Sequence, residues 1–387
     1  MRTQASRILL VGGGHAHIEV LRRFALAPHP RAVLTLVSPH AAMAYSGMLP
    51  GRVAGHYTAE ETQVELGPLA AAAGARFVID LAVALDLDAR TATLASGQRE
   101  AFDFVSLDVG STPDMSIPGA RAHALAVKPV ESFLVAWQRV MEGIAAGDVR
   151  TIAVVGGGAG GVEILLAMQY RACTAFGADA PRFALVTDQP HLLPQHPESV
   201  RARLGRVLVE RDVVLHLESP AVAVEPGAVL TSGGRRIAAD RIIWATSASA
   251  PAWPAAAGLD CDVRGFVALD ACLRSTSHGF VFAAGDCATQ SAHPRPKSGV
   301  YAVRQGPPLA HNLRQAVEGE ALAPYVPQRQ ALALISTGGR HAIASRGRWA
   351  VEGDWVWRWK DWIDRRFLAR YAPATLPAPR ERKTAAD

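Results

Sequence analysis

At 387 residues, 49% hydrophobic and 19% charged, the chain has the make-up of a globular protein with room for two domains, which excludes a disordered one. Its net charge of +5 is modest and comes almost wholly from arginine, since Lys128, Lys297, Lys360 and Lys383 are the only lysines; no basic stripe points to a nucleic-acid partner. No apolar stretch approaches the roughly 18–20 residues that span a bilayer, and the N-terminal apolar run lacks a cleavage site. Cys173, Cys261, Cys272 and Cys287 show no Cys-x-x-Cys spacing, so no zinc site or redox disulfide is expected, and the expected compartment is the cytoplasm.

The run Arg7-Ile8-Leu9-Leu10-Val11 reads as a buried strand. It enters Gly12-Gly13-Gly14-His15-Ala16-His17 and then a helix to about Ala27. A strand at Ala32–Val37 ends at Ser38. Residues 39–56 are rich in turn formers and read as an irregular loop. Strand-like runs at Ala75–Leu81 and Thr91–Leu94 lead to Phe104-Val105-Ser106-Leu107-Asp108-Val109-Gly110, a strand that ends in a sharp turn. Pro118-Gly119 and Lys128-Pro129 mark a crossing into a second unit, opened by a helix at 131–146.

Thr151-Ile152-Ala153-Val154-Val155 then repeats the opening pattern, with Gly156-Gly157-Gly158-Ala159-Gly160-Gly161 as its turn. Strands at 183–187, 212–217 and 241–245 complete this second unit. The chain returns to the first unit near Gly258–Asp270 and reaches Phe282-Ala283-Ala284-Gly285-Asp286, followed by a helix over Ser298–Val317. A tail dense in tryptophan lies beyond Pro324 and Pro327. The doubled glycine turn is the only internal repeat expected.

A strand, glycine turn and helix in succession let the backbone approach a pyrophosphate, which rests on the free amides and the positive end of the helix dipole. Two such turns imply two dinucleotides in one α/β chain, and hence electron transfer. The expected fold is two Rossmann-like dinucleotide-binding domains plus a small C-terminal segment. The first domain is discontinuous, 1–115 with 258–325; the second is inserted at 116–257; the tail is 326–387.

The two turns differ. Gly12 and Gly14 hold the first two glycine positions, but His17 stands at the third, where glycine normally allows close helix–strand packing. In the second turn Gly156, Gly158 and Gly161 are all present. Neither unit has the usual ribose-binding acid at the end of its second strand: the first has Ser38 and the second Thr187, with Asp188 one place later. Asp188 would repel a 2′-phosphate, which tilts the choice from NADPH towards NADH. Gly285-Asp286 ends a strand, so that Asp286 can meet a flavin ribityl chain; alone, it would read equally as a helix cap.

This combination resembles the pyridine nucleotide-disulfide oxidoreductase superfamily, in the branch that lacks a redox disulfide and includes type II NADH dehydrogenases. Four stretches narrow the resemblance: Val-Gly-Gly-Gly-His-Ala-His (11–17), Tyr-Ser-Gly-Met-Leu-Pro-Gly (45–51), Pro-Arg-Pro-Lys-Ser-Gly-Val-Tyr-Ala-Val-Arg-Gln-Gly-Pro-Pro-Leu-Ala (294–310) and Trp-Arg-Trp-Lys-Asp-Trp-Ile-Asp-Arg-Arg-Phe (357–367). They are similar to the flavoprotein module that precedes selenide, water dikinase in some fusions and also stands alone.

The resemblance implies FAD contacts at Gly12, Gly14, Ala16, Ser38, Gly110, Asp286 and Val300. It implies NADH or NADPH at Gly156, Gly158, Gly161, Thr187 and Asp188. Glu163 would lie near nicotinamide and flavin, or act only as a first-turn helix acid. Gln305 matches the second glutamine of the stretch that lines the quinone side of the flavin in type II NADH dehydrogenases; Tyr301 replaces the first. Lys297 would stabilise reduced flavin, or else face solvent.

The implied activity is hydride transfer from NAD(P)H to FAD and then to a small acceptor such as a quinone. The alternative is a nucleotide-binding partner or sensor tied to selenium metabolism, with little turnover. Cys173 and Cys287 are not in the loops that carry the flavin-side cysteines of sulfide:quinone oxidoreductases. In the tail, Trp355, Trp359, Trp362, Ile363 and Phe367 fall at helical spacing among basic residues. Such a stripe suits peripheral membrane contact through 355–367, packing on the chain's own first domain, or a homodimer partner.

Overall fold

The computed structural model describes residues 5–379; residues 1–4 of the expected first domain and 380–387 of the tail lie outside it. Two five-stranded sheets organise the chain, and every pairing within them is parallel. In the first, β1 (Ser6–Val11) lies between β2 (Ala32–Ser38) and β4 (Phe104–Leu107), with β3 (Arg76–Ile79) and β10 (Val281–Ala283) at the edges. In the second, β6 (Thr151–Val155) lies between β7 (Arg182–Val186) and β9 (Arg241–Trp244), with β8 (Val214–His216) and β5 (Leu125–Ala126) at the edges. Ile8–Val11 and Ile152–Val155 are buried throughout, as expected of parallel strands covered on both faces.

The internal repeat is larger than the doubled turn. Val11 pairs with Val37 and Leu107, while Val155 pairs with Val186 and Trp244. Each unit also carries a three-stranded antiparallel meander before its last shared strand, spanning 82–101 and 221–238. The second meander escapes a pattern reading because few of its positions are both apolar and buried, chiefly Val224, Ala228, Val229 and Ile237. Repetition at this scale places Ser38 opposite Thr187, and Asp108 opposite Ala245.

The stretch 39–56 is not an irregular loop throughout. Ala42–Ala44 pairs with Gln63–Glu65, and Leu49–Val53 is helical. Pro50 is tolerated there because it lies in the first turn, where its missing N–H would have had no helical partner. The two chain crossings run side by side, Thr112–Pro113 pairing with Ala248–Ser249.

Helix α1 (His15–Leu26) follows the first glycine turn; α2 (Val130–Ala145) precedes the second, and α3 (Ala159–Phe176) follows it. Helix α4 (Glu198–Glu210) covers the second sheet, and α5 (Gly299–Glu318) returns to the first. Gly306 lets α5 lie directly on α1: a Cβ there would come within 2.7 Å of the Glu19 Cβ. That crossing brings the N-terminus of α5 to the mouth of the first turn.

The tail forms an antiparallel sheet, β11 (Ala333–Ser336), β12 (Ala342–Arg346) and β13 (Trp349–Gly353), and a helix, α6 (Asp354–Ala369). The aromatic stripe is not one face. Val356, Trp357, Asp364 and Phe367 are buried, whereas Trp355 and Trp362 remain 54% and 55% exposed. Phe367 joins the core of the first sheet, while Ile335 and Ile343 join that of the second. The tail therefore straps both units together.

Candidate functional site

Gly12 and Gly156 open the two turns with φ of +94° and +128°, a region that strains any other residue. At both, a Cβ would strike the backbone of the neighbouring strand end, 2.3 Å from the carbonyl oxygen of Asp108 or Ala245. Among the described residues, the amides of Gly13, Gly14 and His15 meet no acceptor, nor do those of Gly157, Gly158 and Ala159. Each group of three free donors stands at a helix N-terminus, where an anion is favoured. Gly110, Gly158 and Gly160 border open space, with nothing within 4 Å of a Cβ built on them. Donors and space together fit a pyrophosphate at each turn.

At the third glycine position the halves solve one packing problem differently. A Cβ on Gly161 would lie 2.1 Å from the carbonyl of Gly156, so the second helix closes on its own turn. In the first unit the His17 ring bridges instead: Nδ1 donates to the Gly12 carbonyl at 2.6 Å, and Nε2 accepts from Ser106 Oγ at 2.8 Å. Burial pushes this imidazole down to about 4, so it is neutral, and the Gly12 carbonyl fixes its tautomer.

Asp108, which the sequence marks only as a strand end, occupies the centre of the first turn. Its Oδ2 accepts from the amides of Ala16 at 2.8 Å and His17 at 3.1 Å. The amide of Ala16, a residue expected to contact FAD, is therefore taken by this carboxyl. Asp108 is 4% exposed; burial pushes its carboxyl up to about 7, against the pull of the two amides. The matching Ala245 has no side-chain acid, so the corresponding amides of Gly160 and Gly161 stay free.

Asp286 follows β10 in the 3-10 turn Gly285–Cys287. Its Oδ2 accepts from Lys128 Nζ at 2.7 Å and from Ser111 Oγ at 3.4 Å. Gln305 braces the turn: its Oε1 accepts from the Gly285 amide at 2.7 Å. Val300, in the first turn of α5, is 38% exposed. His15 lies near Ser46 Oγ, 3.5 Å away, and its ring packs on Tyr45 and Phe367; burial lowers it to about 4.

Lys297 is half-buried. Its Nζ donates to the Ala288 carbonyl and to Thr289 Oγ1 at 2.8 Å, and it stands 3.9 Å above the Phe266 ring. Burial lowers it to about 8, although nearby Cys287, Asp286 and Asp262 oppose this. The two hydroxyls at the ribose positions turn onto their own loops: Ser38 Oγ accepts from the His40 amide at 3.4 Å, and Thr187 Oγ1 from the Gln189 amide at 3.3 Å. Asp188 is exposed at the end of β7.

Glu163 lies one turn into α3, and its Oε1 accepts from the Ser336 amide of the tail sheet at 2.8 Å. Burial pushes its carboxyl up to about 7, with Lys360 opposing. Lys360 also bonds Asp364 and the carbonyl of Gly47 at 2.6 Å each, and Tyr45 Oη donates to Asp364 at 3.2 Å. The first unit, the second unit and the tail thus meet around one buried polar cluster. All four cysteines are free thiols; Cys287 is buried, and burial raises its thiol to about 12.

Two nucleotide-binding units, the first closed by a Gly-Asp turn, define a two-dinucleotide flavoprotein. The chain belongs to the pyridine nucleotide-disulphide oxidoreductase family, whose profile matches residues 6–306; FAD is the cofactor and NAD(P)H the nucleotide of this class. An NADH dehydrogenase-like protein of Mycobacterium tuberculosis is 27% identical over 234 residues, covering 58% of each chain. A type II NADH:quinone oxidoreductase of Haemophilus influenzae is 30% identical over 145 residues, covering 35% of this chain and 33% of its own.

In fold, the sulfide:quinone oxidoreductase of Aquifex aeolicus matches with a TM-score of 0.78 at 19% identity, over 95% of this chain and 91% of its own. The NDH2 of Plasmodium falciparum matches with a TM-score of 0.76 at 12% identity, over 97% and 99%. Among the described residues no helix is long and apolar enough to cross a membrane.

Proposed function

We propose that this chain is an FAD-dependent NAD(P)H oxidoreductase that passes electrons to a small acceptor, with a quinone the favoured class. The observation that carries the reading is the paired set of free amides, Gly13–His15 and Gly157–Ala159, of which only the first adjoins an aspartate on a strand-end turn. That asymmetry supports FAD in the first unit, with Gly12, Gly14, Gly110, Asp286 and Val300 around it. It supports the nicotinamide nucleotide in the second, with Gly156, Gly158 and Gly161. When bound, FAD supplies the two-electron chemistry that accepts hydride from the nucleotide and passes electrons on.

The protein's own part is electrostatic and positional. The two helix N-termini offset phosphate charge. Asp286 presents acceptor oxygens on the strand-end turn, and Lys128 holds it in place. Gln305 fixes the Gly285 amide and so the path of the turn. Lys297 adds positive charge behind that turn. Glu163 can hold or release a proton near neutrality at Oε2, Oε1 being taken by the Ser336 amide, close to the junction of both units. The exposed Trp355 and Trp362, beside Arg358 and Arg366, support peripheral contact with a membrane, where a quinone would be met.

Anaerobic addition of NADH and then NADPH to the purified protein tests this directly. Bleaching of bound flavin by one or both is expected, followed by reoxidation on adding a quinone or, in parallel, selenium compounds. Protein that carries no flavin, or flavin that neither nucleotide bleaches, would overturn the reading.

A further inference from the structure

The buried Asp108 has no counterpart in the second unit, and its place makes the first nucleotide site electrostatically peculiar. Its Oδ2 caps the Ala16 and His17 amides, the next two donors of the helical turn whose earlier amides, Gly13 to His15, are free. Its other oxygen faces the Gly-Asp turn: a Cβ on Gly285 would lie 2.5 Å from Oδ1, and one on Gly14 would lie 2.3 Å from Cγ. The carboxyl is thus wedged between the first glycine turn and the Gly-Asp turn. A dinucleotide resting on the free amides would set its pyrophosphate beside this carboxyl, in a buried site. Two adjacent anions sharing one helix N-terminus cannot both stay charged at low cost.

We propose that Asp108 is a proton-binding residue coupled to FAD: the cofactor binds the neutral carboxyl, and one proton is taken up when the ionised form accepts it. The exchange balances simply, since one proton leaves solvent and neutralises one carboxylate with no bond to the cofactor formed or broken. The inference rests on the placement of FAD at the first turn.

The groups around Asp108 leave it the best-placed titrating neighbour of that pyrophosphate. From α1, His15 and His17 are neutral above about pH 5. From the Gly-Asp turn, Cys287 stays a thiol and Asp286 is paired with Lys128 of the crossing segment. From α5, Gln305 does not titrate. Lys297, behind the Gly-Asp turn, and Glu163, on α3 against the tail sheet, also change charge near neutrality, so a variant must single out Asp108.

Dilution of the flavin-loaded protein at fixed pH between 6 and 9, with release followed by flavin fluorescence, reads the dissociation constant. The wild type is expected to be nearly flat below about pH 6.5 and to weaken towards tenfold per pH unit above about 7.5. Rebinding measured by calorimetry in buffers of different ionisation enthalpy should show proton uptake approaching one per FAD at pH 8 and little at pH 6. Asp108→Asn should remove both effects. Should that variant fail to fold, Asp108→Ala, which copies Ala245, carries the same comparison, and the wild-type proton count stands without either.

A wild-type constant that does not change from pH 6 to 9, or a variant that keeps the slope, overturns the proton coupling while leaving FAD in place. Absence of FAD binding at every pH overturns the placement and the inference with it.

Discussion

The Nδ1 of His17 lies 2.6 Å from the carbonyl oxygen of Gly12, at the helix position that Gly161 fills in the second unit. A ring thus replaces a close backbone approach, and the first turn depends on a buried side chain for its shape. His17→Gly would restore the glycine pattern yet leave a cavity and deprive Ser106 Oγ of its acceptor. The expected outcome is a loss of roughly 2–4 kcal/mol in urea unfolding, with flavin retention reduced alongside.

The same ring sets a pH dependence. Its pKa is lowered in the folded state to about 4, below the ordinary 6.5. The folded protein therefore binds fewer protons there than the unfolded chain as pH falls below 6.5. Stability is full above about pH 6.5, declines between 6.5 and 4, and levels off below 4, by roughly 3 kcal/mol for this group. Unfolding midpoints taken at half-unit steps should show that decline, and His17→Asn should lessen it.

Gly158 and Gly161 separate fold from binding in the second unit. Alanine at 161 would place its Cβ 2.1 Å from the Gly156 carbonyl, whereas alanine at 158 meets no protein atom within 4 Å. Gly161→Ala is expected to cost roughly 1–3 kcal/mol of stability. Gly158→Ala should leave stability within about 0.5 kcal/mol yet weaken the nicotinamide nucleotide about tenfold or more, read by titration of flavin bleaching. Equal effects of the two on nucleotide binding, with no difference in stability, would count against open space at 158 being the nucleotide's.

Much of this organisation is legible in the sequence because its signals are local. Ile8–Val11 and Ile152–Val155 are short apolar runs joined to glycines whose φ values no other residue adopts easily, and Asp286 follows a buried run in the same way. The residues that were not legible act across distance. Asp108 meets the Ala16 amide 92 positions away, and Lys128 meets Asp286 158 positions away. An acid ending an apolar run just before a turn glycine was the one available sign of Asp108. Lys297 misleads for a related reason: its proline-rich surroundings suggest a solvated loop, while the Phe266 ring that buries it lies 31 positions earlier in the chain.

Glu163 is held by the Ser336 amide, so its removal and its discharge can be told apart. Glu163→Gln keeps an acceptor for that amide and loses only the charge. Its folded pKa is raised, so the folded state favours the neutral acid. The stability this gives is present below about pH 4.5 and is lost as pH rises from there through about 7. Glu163→Gln is therefore expected to be more stable than wild type by roughly 1–3 kcal/mol at pH 8 and about equal at pH 4 in denaturant unfolding. If Glu163 also handles a proton in turnover, the variant's rate should lose its inflection near pH 7.

The tail offers the last separation, between strap and surface. Phe367 is 6% exposed within the first core and stacks with Tyr45 at 4.5 Å between ring centroids, while Trp355 and Trp362 point outward. Phe367→Ala should cost about 3 kcal/mol or more, since it opens a cavity where the tail meets the first unit. Serine at both 355 and 362 should change stability by less than about 0.5 kcal/mol, because neither ring is buried. If the exposed rings and their neighbouring arginines meet a membrane, the double variant should lose most binding to anionic vesicles, and quinone turnover on those vesicles should fall with it. Turnover of a water-soluble quinone analogue should be unaffected. Wild-type protein that does not bind vesicles, or a double variant that binds them as well, would return the two tryptophans to ordinary surface residues.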